Sequence, residues 1–326
     1  MKFVLAIDVG ATNLRVGIFT PRGRLVRAKS VDTPKCGGQD AVALKAVDLT
    51  ISLLKEIGAS RSDLMAVGVG TIGPLDIRKG DVVGTPNNPL RNFRLKRPLT
   101  EELDVPTYVV NDCMAAVWGE YKAGAGVGFE NVVYITISTG IGAGAVVDGH
   151  LLIGKDGNAH EVGHIVIDYH SDVVCGCGAR GHWEALASGN NLIRFAKHLA
   201  SVWKGPKCKG LMAVLKGIAT PPDIFHFWRE DDPFAREVIS ELIEIDAAGI
   251  ASVINVYDPE VLTVGGSVAL RNQDFLEEVF KRVDAYLLNR RPEKMMPTPL
   301  QDNVVLVGAA WIALDTPKHL KRIQKG

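Results

Sequence analysis

Asp8 and the small polar turn that follows it are the first residues of this sequence whose types and spacing could do chemistry. A strand-forming apolar run at residues 3–9 carries Asp8 into the turn Gly10-Ala11-Thr12-Asn13, and a second apolar run follows. Such a turn exposes successive backbone N–H groups, and Thr12 and Asn13 add short polar side chains, so the loop could cradle phosphate oxygens. Asp8 could hold a magnesium ion against those oxygens. Taken alone, the motif is equally compatible with an ordinary β-hairpin.

A second copy of this plan occupies residues 132–149. It has an apolar run, a small polar turn that contains Thr139 and Gly140, another apolar run and another turn. When the copies are aligned on Asp8 and Thr136, their turns coincide. Two related halves, each with a phosphate loop, are what a single nucleotide held between two lobes requires. The pair of loops therefore predicts an ATP-binding site.

Cysteine and histidine are concentrated between residues 160 and 182. His164, Cys175, Cys177 and His182 lie within this Gly-rich stretch and fit a tetrahedral zinc site. Four protein ligands leave no open position on the metal, so the zinc would be structural. His160 and His170 are nearby in sequence and are alternatives for a histidine ligand. The other interpretation is a pair of thiols beside surface histidines.

Four polar residues could bind or activate a hydroxyl group. Asn111 and Asp112 stand where an apolar strand meets a helix, so Asp112 could accept the proton of an attacking hydroxyl that Asn111 fixes by hydrogen bonds. The dipeptide by itself favours a helix cap. Glu161 and Glu184 flank the cysteine-histidine cluster. They are either ordinary exposed carboxylates or, on a rigid loop, acceptors for the hydroxyls of a polyol.

Strands and helices alternate along the segments that must position these residues. Apolar runs predict strands at 24–30, 65–70, 106–110 and 261–264, and helical spacing predicts helices at 40–57, 98–103, 113–125, 183–201, 211–218, 233–257, 274–288 and 304–314. Pro, Gly and Asn in residues 70–76 and 85–89 predict a loop at the rim of a site. Gly265 and Gly266 would let a purine or ribose approach the backbone, although such a pair is more often a tight strand-to-helix turn.

The composition is typical of a soluble globular protein. Of the 326 residues, 47 % are hydrophobic and 23 % are charged, which favours a two-domain chain with a substantial core. The formal net charge of zero gives no support for a nucleic-acid or membrane partner. No apolar stretch reaches the roughly 18 residues of a membrane span, and a strand begins directly after Met1, so we expect a cytoplasmic protein. Five cysteines are too few and too unevenly spaced for a disulfide framework.

Together these segments resemble the ROK family, a group of bacterial and archaeal sugar kinases and sugar-responsive repressors. The residues that carry the resemblance are Asp8-x-Gly10-x-Thr12, the 136–144 loop, Asn111-Asp112 with Ala115-Ala116 and Gly119-Glu120, Glu161-x-Gly-His164, and Cys175-x-Cys177-Gly-x-x-Gly181. They cover nearly the whole chain. One position departs from the family pattern, because the family usually has a third cysteine where this chain has His182.

The resemblance implies an actin-like, ribonuclease-H-like α/β fold of two lobes with a central cleft. The small lobe would comprise residues 1–112 with a C-terminal helix at about 305–326, and the large lobe residues 113–304. The family pattern further implies that Asp112 is the base for a sugar 6-hydroxyl. The implied sugar-binding residues are Asn111, Glu161, His164 and Glu184, with Gly73 and Asn88 at the rim. The implied ATP and magnesium residues are Asp8, Gly10, Thr12, Asn13, Thr139, Gly140, Gly265 and Gly266.

The expected activity is that of an ATP-dependent hexose kinase of glucokinase type, acting as a homodimer. An N-acetylhexosamine kinase would use nearly the same residues. A sugar-responsive regulator is disfavoured, because the family's repressors carry an N-terminal DNA-binding domain and the phosphate loop here begins within ten residues of Met1. A chaperone-like or cytoskeletal ATPase would leave the segment from Glu161 to Glu184 unexplained.

Overall fold

A computed structural model describes residues 1–85, 88–288 and 290–324. The chain divides into two units: the first comprises Met1–Tyr134, Gly144–His160 and Thr298–Gly326, and the second comprises Ile135–Ala143 and Glu161–Pro297. The lobe limits expected from the sequence remain a proposal. Pro86 and Asn87, which belong to the predicted rim loop, lie outside the described residues.

Strands and helices alternate in chain order. The strands are β1 (Phe3–Val9), β2 (Asn13–Phe19), β3 (Leu25–Asp32), β4 (Leu64–Thr71), β5 (Leu75–Asp76), β6 (Asp81–Val82), β7 (Phe93–Arg94), β8 (Thr107–Asn111), β9 (Val132–Ile137), β10 (Ile141–Val147), β11 (His150–Leu151), β12 (Val261–Gly265) and β13 (Lys294–Pro297). The α-helices are α1 (Ala41–Glu56), α2 (Lys96–Leu103), α3 (Asp112–Ala123), α4 (Trp183–Ala187), α5 (Leu192–Val202), α6 (Lys209–Leu215), α7 (Pro221–Arg229), α8 (Pro233–Tyr257), α9 (Ser267–Arg271), α10 (Gln273–Arg282), α11 (Val304–Leu314) and α12 (Lys318–Ile323).

Two five-stranded sheets carry the predicted phosphate loops. The first has the strand order β3-β2-β1-β4-β8, and the second has the order β11-β10-β9-β12-β13. In the first sheet β2 runs antiparallel to β1, whereas β1, β4 and β8 are parallel, with Asp8 opposite Gly70 and Thr71 opposite Asn111. Since the carboxyl ends of parallel strands meet at one edge, this register brings Asp8 and Asn111 to the same edge.

Alternate residues of β1 are buried on opposite faces of the first sheet. Phe3, Leu5, Ile7 and Val9 belong to one hydrophobic cluster with α1, whereas Val4 and Ala6 belong to another with α11. A strand that is buried on both faces has no polar face, which explains why β1 reads as a continuous apolar run.

Helices α3 and α11 pack with their backbones in close approach. A Cβ atom on Gly308 of α11 would lie 1.7 Å from the carbonyl oxygen of Ala115, and one on Gly119 would lie 2.9 Å from the backbone nitrogen of Gly308. Only glycine leaves room for this crossing. The crossing therefore fixes α3, whose first residue is Asp112, against the first sheet.

The outer edge of β8 is completed by a side chain rather than by another strand. The buried Gln324 amide accepts a hydrogen bond from the Val109 N–H at 3.0 Å and donates to the carbonyl oxygens of Val109, at 2.7 Å, and Ile77, at 2.8 Å. These bonds satisfy strand groups two residues before Asn111. The end of the chain thus stabilises the strand that leads to Asp112.

Most predicted elements are present, and three predictions are corrected. The single helix expected at 183–201 is wrong, because the chain breaks between α4 and α5, where the Gly189 N–H donates to Ser138 O at 2.8 Å. The 70–76 part of the predicted rim loop is not entirely loop, since β4 extends to Thr71 and Leu75–Asp76 form β5, an edge strand of a small three-stranded sheet. The helix expected at 274–288 ends at Arg282 and continues as a 3-10 turn.

The segment around α7 was not assigned from the sequence, although it carries a helix-start signal. Thr220 and Asp223 form a capping box at the start of α7, with a Thr220 N to Asp223 Oδ2 distance of 2.8 Å.

None of the described helices is both long and apolar enough to cross a membrane.

Candidate active site and candidate metal centre

Asp8 lies at the end of β1, half-buried and next to a single arginine. The hairpin register pairs Asp8 with Arg15, and an Arg15 Nη1 atom is 3.8 Å from Asp8 Oδ2. Burial raises the pKa of Asp8 to about 7, the Arg15 charge opposes that shift, and the Asp112 charge adds to it. Arg15 also donates to the backbone oxygen of Asp302 and to the side chain of Asn303. The Asp8 carboxylate therefore lies where a cation would relieve the cost of its burial.

The turn after β1 is closed by its own backbone. Gly10 N–H donates to Asn13 O at 2.9 Å, and the Thr33 hydroxyl donates to Gly10 O at 2.8 Å. The side chains of Thr12 and Asn13 are exposed. The turn thus presents two polar side chains on a rigid frame beside Asp8.

Asn111, not Asp112, caps helix α3. The Asn111 Oδ1 atom accepts a hydrogen bond from the Cys113 N–H at 2.8 Å, and Asp112 is the first helical residue. The interpretation of Asp112 as the helix cap is therefore wrong. Asp112 Oδ1 also accepts from the Cys113 N–H at 2.8 Å. Burial raises the pKa of Asp112 and the Cys113 N–H opposes the shift, so this carboxylate is a stronger base than an exposed one.

Two predicted rim residues fall in the same unit as Asp112. A Cβ atom on Gly73 would lie 3.6 Å from Asn111 Nδ2, so the backbone at Gly73 approaches the Asn111 amide. The Asn88 side chain is buried, accepts from the Leu90 N–H at 2.9 Å and donates to Pro34 O at 3.2 Å. Asn88 therefore stabilises the loop through both the oxygen and the nitrogen of its side-chain amide.

The second loop holds the Glu184 carboxylate. Ser138 N–H donates to Gly140 O at 2.9 Å, which closes a tight turn around Thr139. Glu184 Oε2 accepts from the Ile141 N–H at 3.0 Å, and a Cβ atom on Gly140 would lie only 2.5 Å from that oxygen. Glycine at position 140 is thus required for the carboxylate to lie against the loop.

The predicted glycine pair lies beside this loop. Gly266 adopts a φ of 90°, caps α9 and would place a Cβ atom 2.5 Å from the carbonyl oxygen of Ile137. The Ser138 and Ser267 hydroxyls are 3.1 Å apart. Gly265 ends β12 directly before this turn. The close packing of backbone on backbone explains the glycine at 266 without a ligand.

His164, Cys175, Cys177 and His182 converge on one point. One ligand atom from each lies within 4.8 Å of all the others. The two Nδ1 atoms are 3.2 Å apart, His182 Nδ1 is 3.3 Å from Cys177 Sγ, and His164 Nδ1 is 3.7 Å from Cys175 Sγ. Bonds of about 2.0 Å to nitrogen and about 2.3 Å to sulfur imply edges of about 3.3–3.8 Å in a tetrahedral zinc site. These donors therefore fit zinc in chemistry, and the three distances above match the edges of a tetrahedral site.

The structure distinguishes the two alternative histidine ligands, His160 and His170, from His164 and His182. His160 is buried, and its Nε2 atom lies 2.7 Å from Leu152 O. His170 is exposed and stacks on Tyr169 with ring centroids 3.9 Å apart. Burial and the neighbouring His164 lower the pKa of His182, which favours the neutral imidazole that binds metals. Burial raises the pKa of Cys175, so metal binding would displace its proton.

Glu161 precedes this cluster on the turn that carries His164. Its side chain is exposed, and its carbonyl oxygen accepts from the His164 N–H at 3.0 Å. Arg15 and Trp183 are not among the site residues predicted from the sequence. Arg15 could have been found from the hairpin, since a four-residue turn at 10–13 places it opposite Asp8. Trp183, which lies between His182 and Glu184, carried no comparable signal.

Comparisons with known proteins cover almost the whole chain. The sequence model of the ROK family matches residues 4–316. A glucokinase from Pyrobaculum calidifontis is 41 % identical over 323 residues, which cover 99 % of this chain and 98 % of that protein. The crystal structure of the ROK hexokinase from Thermus thermophilus matches with a TM-score of 0.81 and 32 % identity, over 95 % of this chain and 97 % of that one.

A ROK family glucokinase from Streptomyces griseus, solved in complex with glucose and AMPPNP, matches with a TM-score of 0.74 and 30 % identity. The match covers 95 % of this chain and 99 % of that one. These matches confirm the predicted actin-like, ribonuclease-H-like α/β fold. From the family match and the full-length relatives we conclude that the chain belongs to the ROK family.

Proposed function

We propose that this protein is an ATP-dependent kinase that phosphorylates the 6-hydroxyl of glucose. The observation that carries the proposal is the pair of half-buried carboxylates, Asp8 and Asp112, at the carboxyl ends of parallel strands. Their charges interact, and burial raises both pKa values. One carboxylate can serve a metal ion and the other a hydroxyl proton. Full-length similarity to a glucokinase supports glucose as the substrate.

Asp112 is the proposed base. It would accept the proton of the 6-hydroxyl as that oxygen bonds to the γ-phosphorus of ATP, while the bond from this phosphorus to the β,γ-bridging oxygen breaks and ADP leaves. The Asn111 Oδ1 atom accepts from the Cys113 N–H, and the Asn111 side chain also hydrogen-bonds the Asp112 carboxylate, so Asn111 would orient the base and present its amide to a sugar oxygen. The close backbone at Gly73 limits the space beside this amide.

The two loops are the proposed phosphate sites. Thr12, Asn13 and the Gly10 turn would bind phosphate oxygens in one unit, and Thr139 and Gly140 in the other. Asp8 fits a magnesium ion. Its half-buried carboxylate has Arg15 3.8 Å away, but burial still raises its pKa, so a bound cation would lower the free-energy cost of the ionised carboxylate. Magnesium, when bound, would neutralise phosphate charge. Gly265 and Gly266 would lie against the nucleoside.

Glu161, His164 and Glu184 are the proposed sugar ligands of the second unit. Because the Ile141 N–H fixes Oε2 of Glu184, its Oε1 atom is left to accept from a sugar hydroxyl. His164 would use Nδ1 for the metal and Nε2 for the sugar. A structural zinc bound by His164, Cys175, Cys177 and His182 would hold this ring in place.

The proposed assembly is a homodimer and the proposed location is the cytoplasm. The homodimer follows from the family resemblance, and the location follows from the sequence, which has no apolar stretch of membrane-spanning length. Light scattering after gel filtration measures the assembly directly, and a mass of about 35 kDa rather than twice that value would contradict the dimer.

A coupled ADP-release assay with ATP and magnesium tests the proposed activity. The panel is glucose, mannose, fructose, glucosamine, N-acetylglucosamine and N-acetylmannosamine, with Asp112→Asn as the blank. We expect glucose to be turned over far better than either acetylated sugar. Turnover of acetamido sugars alone would replace this proposal with an N-acetylhexosamine kinase, and no turnover of any sugar would refute the kinase activity.

A further inference from the structure

Trp183 lies in the chain between a proposed zinc ligand, His182, and a proposed sugar ligand, Glu184. Its side chain is fully buried, and the indole N–H donates to Asp246 Oδ1 at 2.7 Å. Asp246 lies in the middle of α8 and is 1 % exposed. The bond therefore joins the start of α4 to the long helix of the same unit.

The indole has little freedom to move. A Cβ atom on Gly249, three residues after Asp246, would lie 2.3 Å from the Trp183 ring, so the ring lies directly on the backbone of α8. The Trp183 backbone N–H donates to Ile165 O at 3.0 Å. Both ends of this residue are thus fixed, one by backbone and one by Asp246.

The residue that follows Trp183 is held equally closely. Glu184 Oε2 lies 3.0 Å from the Ile141 nitrogen, and the Glu184 carbonyl accepts from Asn191 Nδ2 at 3.1 Å. Trp183 and Glu184 are consecutive residues of α4, so a shift of the Trp183 backbone would move Glu184 relative to the Ile141 N–H that holds its carboxylate. The anchored Trp183 side chain therefore helps to set the position of Glu184.

Burying Asp246 costs more folding free energy than a purely structural contact requires. Its Oδ2 atom is buried and has no hydrogen-bond partner in the described part of the chain. A buried polar atom without a partner destabilises a fold, so an apolar side chain would fill this space at lower cost. The benefit that remains is the directional bond to the indole.

We infer that Asp246 is a positioning residue for hexose binding, which acts through Trp183 to fix the Glu184 carboxylate. The inference rests on the proposed function, since it assigns Glu184 to the sugar. Asp246 itself touches no substrate. An asparagine at position 246 would still offer a carbonyl oxygen to the indole, whereas leucine would fill the space without an acceptor.

The test compares full-length Asp246→Leu, Asp246→Asn and Trp183→Phe with the wild type in the coupled assay. We expect Asp246→Leu to raise the KM for glucose by roughly tenfold, with the KM for ATP changed less than about twofold. Asp246→Asn should keep the KM for glucose within about twofold of the wild type. The control is Glu237→Gln, which removes an exposed carboxylate from the same helix.

A double-mutant cycle separates the bond from general damage to the fold. In the Trp183→Phe background, which has no indole donor, Asp246→Leu should change the KM for glucose less than about twofold. The indole ¹H–¹⁵N signals of the five tryptophans give a second readout. The Trp183 signal should change its chemical shift in Asp246→Leu and keep its wild-type chemical shift in Asp246→Asn.

An unchanged KM for glucose in folded Asp246→Leu would overturn the inference, as would parallel increases in both KM values. A tenfold effect that persists in the Trp183→Phe background would also overturn it. Failure of the proposed function would appear separately, as a wild-type protein that does not turn over glucose.

Discussion

Replacing Asp8 by asparagine should inactivate the protein and make it more stable at alkaline pH. Asp8 is the proposed magnesium-binding carboxylate, and its side chain is only 17 % exposed. Burial raises its pKa from the ordinary 3.8 to about 7, even with Arg15 nearby. The folded protein without metal therefore holds an ionised carboxylate that it disfavours.

The size of the effect follows from the pKa difference. A tenfold change in proton affinity is worth about 1.4 kcal/mol, so a rise from 3.8 to about 7 costs the ionised state up to about 4 kcal/mol. The pKa of about 7 already includes the favourable charge of Arg15, so this cost is net of the ion pair that the asparagine variant loses. We therefore expect a gain of up to about 4 kcal/mol for the variant at pH 8.

The sign of the pH dependence is specific. A carboxyl whose folded-state pKa is raised keeps its full contribution to stability below about pH 4 and loses it as the pH rises to about 7. The free energy of unfolding of Asp8→Asn should therefore exceed that of the wild type by an amount that grows between pH 5 and pH 8.

Urea unfolding at pH 5, 6, 7 and 8 in the presence of EDTA measures this difference, and the coupled assay measures the loss of activity. Asp48→Asn, which removes an exposed carboxylate of α1, controls for net charge. A stability difference that stays constant with pH, or a variant less stable than the wild type at pH 8, would refute the reasoning. The result would place Asp8 among residues that trade stability for function.

Three further predictions concern the base, the metal and the edge strand. Asp112→Asn should lower kcat by roughly 100-fold or more with folding intact, measured in the coupled assay, and near-normal turnover would remove Asp112 as the base. Elemental analysis of protein purified without chelators should find about one zinc per chain and far less in Cys177→Ser; no stoichiometric zinc in the wild type would defeat the metal site. Gln324→Ala should lower the free energy of unfolding by about 2–3 kcal/mol, because Val109 loses two buried hydrogen-bond partners. Its urea midpoint is compared with that of the exposed Gln301→Ala, and equal midpoints would contradict the role of Gln324.

Local sequence patterns predicted the strands and helices whose formation depends mainly on residues that are close in the chain. The apolar run of β1 and the helical periodicity of α8 can each be recognised within one continuous segment of the sequence. The duplicated strand-turn-strand plan is likewise visible in the sequence as a repeat. The helix expected at 183–201 failed for the opposite reason. Ser188-Gly189-Asn190-Asn191 are residues that favour a break, and the hydrogen bond from Gly189 to Ser138, about 50 positions away, is the long-range contact that fixes it.

Residue types and spacing determined which groups this protein has for chemistry: an aspartate before a small polar turn, an Asn-Asp pair at a helix start, and two thiols with two imidazoles in one short segment. Tertiary structure decided how those groups behave. Asn111 takes the cap and Asp112 becomes the first helical residue with a raised pKa, and His164 and His182, not His160, converge on the thiols. Burial, register and long-range contacts set these outcomes, because the pKa of a carboxyl and the meeting of four ligands depend on neighbours that are distant in the chain.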